Sequence, residues 1–265
     1  MEKLDHFDNK KTALITGASS GIGCELSRLF AQEGYNLVLV ARDEQRLNQR
    51  ANELRKTFGV LIKVLPKDLS TLTSAKEIFD ELQQESIQID ILVNNAGFNV
   101  YGPFSETDIK KELQMIQVSI VSSTQLIKLF LPEMLKHGYG RILNIGSTGS
   151  FVPGPLNAVY CAAKSYILSL SEALAEELEG SGVTVTTLCP GPTRTEFPKR
   201  AQIEGINLFR GPVMEVSTVA KTGYRALMRG KRVVVCGFYN KAQIFLTRFT
   251  PRKVVAKIVK YQMSK

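Results

Sequence analysis

The side chains best suited to proton transfer are Tyr160 and Lys164, which stand four positions apart in an apolar segment. If this segment is helical, the pair lies one turn apart, about 6 Å along the axis, on the same face. A nearby ammonium group stabilises a phenolate, so we expect Lys164 to lower the pKa of Tyr160. Any helix surface offers such pairs by chance. Ser147, which lies upstream after a predicted strand, favours a catalytic group of three.

Other catalytic groups are scarce in this chain. Only two histidines occur, His6 and His137, so neither histidine-based catalysis nor a His-rich metal site is expected. The four cysteines form no Cys-x-x-Cys pair and are interpreted as reduced thiols: Cys24, Cys161, Cys189 and Cys236. Cys161 and Cys189 adjoin the catalytic candidates, but no activating base accompanies them, so we interpret both as core residues. We therefore predict a reaction that requires no metal.

A glycine-rich turn follows the first apolar run. Gly17, Gly21 and Gly23 would let the backbone approach a pyrophosphate, and the helix that begins beside them would present unpaired N–H groups and a positive dipole end. Ser19 could add a hydroxyl contact. The alternative is a tight strand-to-helix turn without a ligand. Its position between a strand and a helix favours a dinucleotide site.

The choice of dinucleotide depends on the end of the second apolar run. An acidic residue there would bind the ribose 2′-hydroxyl of NAD(H) and repel a 2′-phosphate. Here Ala41 occupies that position and Arg42, a charge-assisted donor for phosphate, follows it. NADP(H) is therefore the predicted cofactor. The alternative is a surface arginine that pairs with Asp43 or Glu44.

Alternating strands and helices must position these residues. Apolar, β-branched runs predict strands at 12–15, 36–40, 61–65, 91–93, 141–145, 184–188 and 232–236. Helical spacing predicts helices at 24–33, 44–58, 75–85, 109–135, 159–178 and 218–228. This alternation predicts a single α/β domain over residues 1–265, with a doubly wound, seven-stranded parallel sheet of Rossmann type and helices on both faces. Ligands of such sheets bind beyond the carboxyl ends of the strands.

Several motifs together resemble the short-chain dehydrogenase/reductase family, and most closely its single-domain branch of 3-ketoacyl reductases and hydroxysteroid dehydrogenases. The resemblance spans roughly residues 10–240, and its motifs are Thr16-Gly17-x-x-x-Gly21-x-Gly23, Asn94-Asn95-Ala96-Gly97, Ser147, Tyr160 with Lys164, and Pro190-Gly191 with Thr195. It implies that Tyr160 donates the proton to a carbonyl oxygen, that Ser147 hydrogen-bonds that oxygen, and that Lys164 also holds the nicotinamide ribose.

The cofactor contacts follow from the glycine turn, the strand ends and this resemblance. The predicted cofactor-binding residues are Gly17, Ser19, Ser20, Gly21, Ile22, Gly23, Arg42, Asp68, Leu69, Asn95, Ala96, Gly97, Tyr160, Lys164, Pro190, Gly191, Thr193 and Thr195. The resemblance also implies that Asn94, Ala96 and Gly97 lie beside the adenosine and hold the sheet together. The family usually has an asparagine where Ser119 stands, which holds a water in a proton relay to the lysine. Ser119 is therefore a predicted relay residue with a smaller hydrogen-bonding group.

Two C-terminal segments bear on the substrate and on partners. Residues 192–215 are predicted to form an apolar lid for a lipophilic carbonyl compound, or else an ordinary packing loop. Residues 197–265 carry 15 basic and 2 acidic side chains, against 19 and 23 in residues 1–196. In the basic extension 241–265, Thr250-Pro251 is predicted to open an amphipathic helix with Val254, Val255, Ile258 and Val259 on one face. That face either lies on an anionic membrane or docks on the same or a neighbouring subunit.

These observations predict an NADP(H)-dependent oxidoreductase that reduces a lipophilic small-molecule carbonyl compound or oxidises the matching alcohol. The alternative is a non-catalytic NADP(H)-binding sensor or scaffold, for which Ser119 is the only support. Nucleic-acid binding is not expected, because no aromatic platform is interleaved with the basic residues. Without a signal sequence or a sufficiently long apolar run, we expect a cytoplasmic protein with no transmembrane helix, in peripheral membrane contact at most. A homodimer or homotetramer is the expected assembly.

Overall fold

The computed structural model describes Phe7 and residues 10–265; His6 lies outside the described residues. The strands are β1 Thr12–Thr16, β2 Asn36–Ala41, β3 Ile62–Pro66, β4 Ile91–Asn94, β5 Gly140–Ile145, β6 Val183–Cys189, β7 Thr193–Arg194, β8 Met214–Glu215 and β9 Val233–Val235. The α-helices are α1 Gly21–Gln32, α2 Glu44–Phe58, α3 Ser74–Gln84, α4 Ile109–Ile116, α5 Ser122–Lys136, α6 Ala158–Glu177, α7 Phe197–Arg200, α8 Val216–Met228, α9 Phe238–Thr247 and α10 Arg252–Met263.

Seven of these strands form one parallel sheet in the order β3-β2-β1-β4-β5-β6-β9. The order reverses between β1 and β4, so the carboxyl ends of these two strands flank a crevice where ligands of such sheets bind. The predicted fold is confirmed: a doubly wound, seven-stranded parallel sheet of Rossmann type in a single domain.

Both faces of the sheet are covered by helices, which explains why its strands are apolar at successive positions. Ile15 packs in one core layer with Leu26 of α1 and Leu47 of α2. Its neighbour Leu14 packs in the other layer with Ile78 of α3. Adjacent strand residues therefore both lie in the core, one in each layer. If apolar and polar residues alternated along these strands, the polar ones would all be buried in one of the two layers.

The predicted helix 109–135 is interrupted by one wide turn. Helices α4 and α5 are joined by a π-helical turn at Gln117–Val121, and the whole element runs from Ile109 to Lys136. By length and composition alone it is the one helix among the described residues that could cross a membrane. It is nevertheless a core helix, because Met115, Phe130 and Met134 are buried and the last two pack against the sheet.

The C-terminal part departs from the prediction in three ways. Residues 192–215 contain α7, a 3₁₀ turn at Asn207–Arg210 and the strand pair β7–β8, rather than only a loop. The extension contains a helix that the sequence did not indicate, α9, and α10 begins at Arg252 with Pro251 as its N-cap, so neither Thr250 as the cap nor Pro251 as the first helical residue is correct. The four aliphatic residues of α10 also differ in burial, since Val255 and Val259 are buried whereas Val254 and Ile258 are exposed.

Candidate active site

A cavity of about 1070 Å³ lies at the carboxyl ends of the sheet strands. Of the residues predicted to bind cofactor or to react, those on its wall are Gly17, Ser19, Ser20, Gly21, Ile22, Arg42, Asp68, Leu69, Asn95, Ala96, Gly97, Ser147, Tyr160, Lys164, Pro190, Gly191, Thr193 and Thr195. Gly23 and Ser119 lie behind this wall. The fold therefore brings eighteen of the predicted residues, from separate segments of the chain, into one continuous space.

The glycine turn between β1 and α1 is shaped by close backbone approach. Gly17 and Gly21 have φ values of +65° and +57°, in the left-handed region that favours glycine. A Cβ atom on Gly17 would lie 2.7 Å from Nδ2 of Asn95, and one on Gly23 would lie 2.4 Å from the carbonyl oxygen of Gly17. Gly23 therefore shapes the turn from behind, by letting α1 pack against it, and does not line the cavity.

Asn95 fastens this turn to the end of β4. Its side-chain amide donates to the carbonyl oxygens of Thr16 at 2.8 Å and Gly17 at 3.2 Å. The Thr16 hydroxyl in turn accepts from the backbone N–H groups of Asn95 and Ala96, at 2.9 and 3.0 Å. Asn94 does not lie beside the cavity, which corrects one implication of the family resemblance, because its amide donates to Asn144 at 2.9 Å inside the sheet.

At the outer end of the cavity, Arg42 is available to an anion. Its side chain is 71% exposed, and its Nη1 atom is 3.9 Å from a carboxylate oxygen of Asp68. Asp43 instead caps α2 by accepting from the N–H of Arg46, whose guanidinium also pairs with Glu196 of the predicted lid. The alternative in which Arg42 pairs with Asp43 or Glu44 is not observed among the described residues.

Lys67 is a cationic wall residue that the sequence analysis missed. It follows β3 directly, next to Asp68, and its ammonium group pairs with Glu77 at 3.0 Å. Its position at the carboxyl end of a strand beside β2 was the signal that could have identified it. Arg42 and Lys67 together place two positive charges at this end of the cavity.

At the inner end, a hydrogen-bonded corner fixes Ser147 against α6. Ser147 caps a 3₁₀ turn at Thr148–Phe151, and its hydroxyl accepts from the N–H of Gly149 at 3.0 Å. The Ser150 hydroxyl accepts from the N–H of Ser147 at 3.1 Å and donates to the carbonyl oxygen of Lys164 at 2.9 Å. This corner joins the end of β5 to the helix that carries Tyr160 and Lys164.

The pKa values of the Tyr–Lys pair are controlled by burial. Burial raises the pKa of Tyr160 to about 12, and hydrogen bonding with the Ser147 side chain opposes part of that rise. Burial also lowers the pKa of Lys164 to about 8, and its ammonium group donates to the carbonyl oxygen of Ile145 at 2.7 Å. The direction for Tyr160 is opposite to the one expected from its pairing with Lys164, because the cost of burying a phenolate is the largest influence on this pKa. Tyr160 is therefore a neutral proton donor near pH 7.

Ser119 lies in the π-helical turn, close to the inner end of the cavity. A Cβ atom placed on Gly97 would lie 3.6 Å from the Ser119 hydroxyl and 3.7 Å from Nζ of Lys164. The Ser119 hydroxyl is buried and has no hydrogen-bond partner among the residues that the structure describes. It therefore lies on the same side of Gly97 as Lys164, with its hydrogen-bonding capacity unused by the fold.

All four thiols are buried. Burial raises the pKa of Cys161 to about 11 and that of Cys189 and Cys236 to about 12, so these thiols are protonated near pH 7. Their interpretation as core residues agrees with this protonation. Within the described part of the chain, no group of three or more His, Cys, Asp or Glu side chains could hold a metal.

The remaining wall is mostly apolar and comes from the C-terminal third. Phe197 of α7 packs against Tyr160 with ring centroids 6.0 Å apart. The inner faces of α9 and α10 contribute Ile244, Val255, Val259 and Met263, which the sequence analysis did not assign to the site. The carbonyl oxygen of Met263 accepts from the Tyr101 hydroxyl at 2.5 Å, which fastens the end of α10 over the cavity.

This wall fits a nicotinamide dinucleotide. The glycine turn leaves no room for a Cβ atom on Gly17, and it presents the N-terminus of α1. Asp68 and Leu69 would border the adenine, and Lys164 would hold the nicotinamide ribose. Such a cofactor accepts or supplies a hydride when bound.

Known proteins are similar to this chain in sequence and in fold. A family model described as short chain dehydrogenase matches residues 11–204. Ketoacyl reductase HetN of Nostoc sp. is 32% identical over 202 residues, which cover 73% of this chain and 70% of that protein. The short-chain dehydrogenase from Sphingobium yanoikuyae, solved in complex with NADPH, is 33% identical with a TM-score of 0.80, over 91% of this chain and 97% of that one.

A second solved structure extends the comparison. The bulky-bulky ketone specific alcohol dehydrogenase from Comamonas testosteroni is 31% identical with a TM-score of 0.77, over 91% of this chain and 93% of that one. The family model covers well over half of the chain, and the relatives cover more than two thirds of it. This chain therefore belongs to the short-chain dehydrogenase/reductase family of NAD(P)H-dependent oxidoreductases.

Proposed function

We propose that this oxidoreductase uses NADP(H) to reduce a bulky, lipophilic carbonyl compound, or to oxidise the corresponding alcohol. One observation carries the proposal: Ser147, Tyr160 and Lys164 meet at the inner end of a cavity whose outer end carries Arg42 and whose remaining wall is mostly apolar. The charge at one end suits a phosphate, and the apolar wall suits the substrate.

The three inner residues have distinct tasks in the proposed reduction. The Tyr160 hydroxyl gives its proton to the carbonyl oxygen as that oxygen becomes an alcohol. The Ser147 hydroxyl, held in place by the 3₁₀ turn, hydrogen-bonds the same oxygen. Lys164 holds the ribose and passes a proton to Tyr160, and solvent replaces the proton on Lys164 by way of Ser119. The Ile145 carbonyl fixes the position of the lysine.

The preference for NADP(H) rests on two cations at the strand ends. Arg42 is mostly exposed and its pairing with Asp68 is long, so it can turn towards a phosphate at little cost. Lys67 lies on the same wall. A similar protein, the Sphingobium yanoikuyae dehydrogenase, was solved with NADPH.

The proposed substrate class rests on the wall near Tyr160. Phe197, Ile203 and Leu208 from the predicted lid line the cavity together with Val255 and Val259 from α10. Burying an apolar substrate between such groups is favourable at about 25 cal/mol per Å². Among the similar proteins, one acts on bulky ketones and another on ketoacyl compounds, according to their names.

The proposal is tested by kinetics on Tyr160→Phe. NADPH oxidation is followed with a panel of aldehydes, aryl ketones, steroid ketones and acyl thioesters, and NADPH affinity is measured separately by fluorescence. We expect the variant to lose ketone reduction and to keep its NADPH affinity, because only the proton donor is removed. Tyr166→Phe is the matched control, since Tyr166 lies in the same helix and its hydroxyl meets Thr124 on the surface.

A non-catalytic NADP(H)-binding protein is the alternative reading of the same site. It predicts NADPH binding by the parent protein with no turnover of any member of the panel. Turnover that Tyr160→Phe removes and Tyr166→Phe leaves intact would exclude this alternative. Turnover retained by Tyr160→Phe would refute the assignment of the proton donor.

A further inference from the structure

Large apolar side chains are exposed mainly on the two C-terminal helices. Of the fourteen such side chains among the described residues, eight lie between positions 238 and 261. We refer to these eight side chains together as the C-terminal apolar surface: Phe238, Tyr239, Phe245, Leu246, Phe249, Val254, Ile258 and Tyr261. Phe238 is 87% exposed, Phe249 73% and Tyr261 70%. Exposed apolar side chains concentrated in one part of a protein mark an interaction surface.

These exposed side chains are not the ones through which α9 and α10 pack against the domain. In α10, Val255 and Val259 are buried, whereas their neighbours Val254 and Ile258 are exposed. In α9, Asn240 is buried while Phe238 is exposed two positions earlier. The inward face of each helix is therefore already covered by this chain, and the outward apolar face is a second one.

Positive charge surrounds this surface. Residues 241–265 contain seven lysines and arginines and no acidic residue. All seven are exposed, and none forms an ion pair within residues 10–265. In α10, Lys253, Lys257 and Lys260 lie between the apolar positions in the sequence and beside them on the helix. Long basic side chains of this kind reach towards polar headgroups while apolar neighbours enter the membrane.

We propose that the C-terminal apolar surface binds an anionic lipid bilayer. Its aromatic and aliphatic side chains enter the boundary between headgroups and acyl chains, and the surrounding lysines and arginines attract the anionic headgroups. A second copy of this chain fits less well. An isologous contact would bring two cationic surfaces together, and like charges at an interface oppose association.

The same two helices also form one edge of the cavity. Leu246 and Ile258 are exposed and also line the cavity, while Val255 and Val259 line it from the inner face of α10. On a bilayer, this edge of the cavity would face the lipid. A lipophilic carbonyl substrate would then enter from the membrane, a step that rests on the proposed function.

The experiment is a flotation assay on the full chain. Vesicles of phosphatidylcholine are compared with vesicles that also contain phosphatidylglycerol, each at low and high salt. We expect at least about tenfold more protein on the anionic vesicles at low salt, and a loss of this difference at high salt. Phe245→Ser combined with Phe249→Ser, and Lys253→Glu combined with Lys257→Glu, should each lower the bound fraction by about tenfold.

The controls separate this proposal from the proposed function and from self-association. Phe104→Ser removes a 68% exposed phenylalanine outside the C-terminal helices and should bind as the parent does. Reduction of a water-soluble ketone is followed in every variant, and none of the substituted positions lines the cavity. A parent that reduces the ketone but does not float with anionic vesicles at low salt would overturn the membrane proposal. The membrane proposal would also be overturned if light scattering showed a dimer of the parent protein that Phe245→Ser combined with Phe249→Ser dissociates. Ketone reduction that fails while flotation succeeds would refute only the function.

Discussion

Replacing Arg42 by aspartate should move the cofactor preference from NADPH towards NADH. The substitution removes the donor that would hold the 2′-phosphate and supplies an acceptor for the ribose 2′-hydroxyl. Because Arg42 pairs only with Asp68, at 3.9 Å, the loss of that ion pair should have little effect on the fold. The effect is therefore expected in cofactor choice and not in stability.

The magnitude follows from exposure and charge. A hydrogen bond to a charged group contributes about 1.5–3 kcal/mol, and the 71% exposure of Arg42 favours the lower value, so Arg42→Ala should weaken NADPH selection by roughly tenfold. The new carboxylate would repel a phosphate a few ångströms away by about 1 kcal/mol per charge in a solvated site. Arg42→Asp should thus change the ratio of kcat/KM for NADPH to that for NADH by roughly 100-fold. Lys67 limits this change in cofactor preference, because its positive charge remains on the cavity wall in the Arg42→Asp variant.

The assay measures kcat/KM for both cofactors with one ketone at saturation. Lys56→Asp is the matched control, because it makes the same change in net charge on α2, away from the cavity. Thermal unfolding of each variant verifies that the fold is kept. A parent that prefers NADH, or an Arg42→Asp variant whose ratio stays within about threefold of the parent's, would refute the reasoning.

Three further predictions concern the inner end of the cavity and the glycine turn. Because the pKa of Lys164 is lowered to about 8, its ammonium form is lost as pH rises through 8, and a pH profile of kcat/KM for ketone reduction should fall there; a level profile would contradict this role. Ser119→Ala should lower kcat by roughly tenfold without changing the melting temperature, because the hydroxyl has no partner among the described residues; an unchanged kcat would remove Ser119 from the relay. Gly23→Ala should destabilise the fold by about 1–3 kcal/mol and weaken NADPH binding, because its methyl group would meet the Gly17 carbonyl oxygen, whereas Gly205→Ala, with nothing within 4 Å, should not; denaturant titration compares the two.

Much of the fold could be predicted because local signals agree with tertiary burial. Helix α2 begins and ends at the predicted residues, since Asp43 caps its first turn and Gly59, with φ at +65°, ends it. The sheet strands could be located because both faces are buried, so each is a run of apolar residues. The convergence of the glycine turn with Ser147, Tyr160 and Lys164 then follows from the parallel topology.

The packing of the C-terminal helices α9 and α10 could not be predicted in the same way. It depends on which apolar side chains of each helix turn inwards, and the periodicity of the sequence does not determine that choice. In α10, the pattern groups Val254 with Val255, but only Val255 of these two is buried. Helix α9 was missed because its apolar residues lie mainly on its exposed side. The raised pKa of Tyr160 also required the structure, since the depth of burial decides between the cost of desolvation and the attraction of a neighbouring ammonium group.

The π-helical turn at Gln117–Val121 sets the rotation of one helix half against the other. Such a turn holds one residue more than an α-helical turn, and one residue corresponds to about 100° of rotation. Deleting a single residue here would let the helix continue regularly, but it would swing α4 around its axis and move Ser119 away from Gly97. Deletion of one codon at this turn would therefore change the residues at the inner end of the cavity, while most hydrogen bonds of the helix would be kept. The extra residue is thus a point at which small changes in length, rather than substitutions, could divide proteins of this fold into different catalytic types.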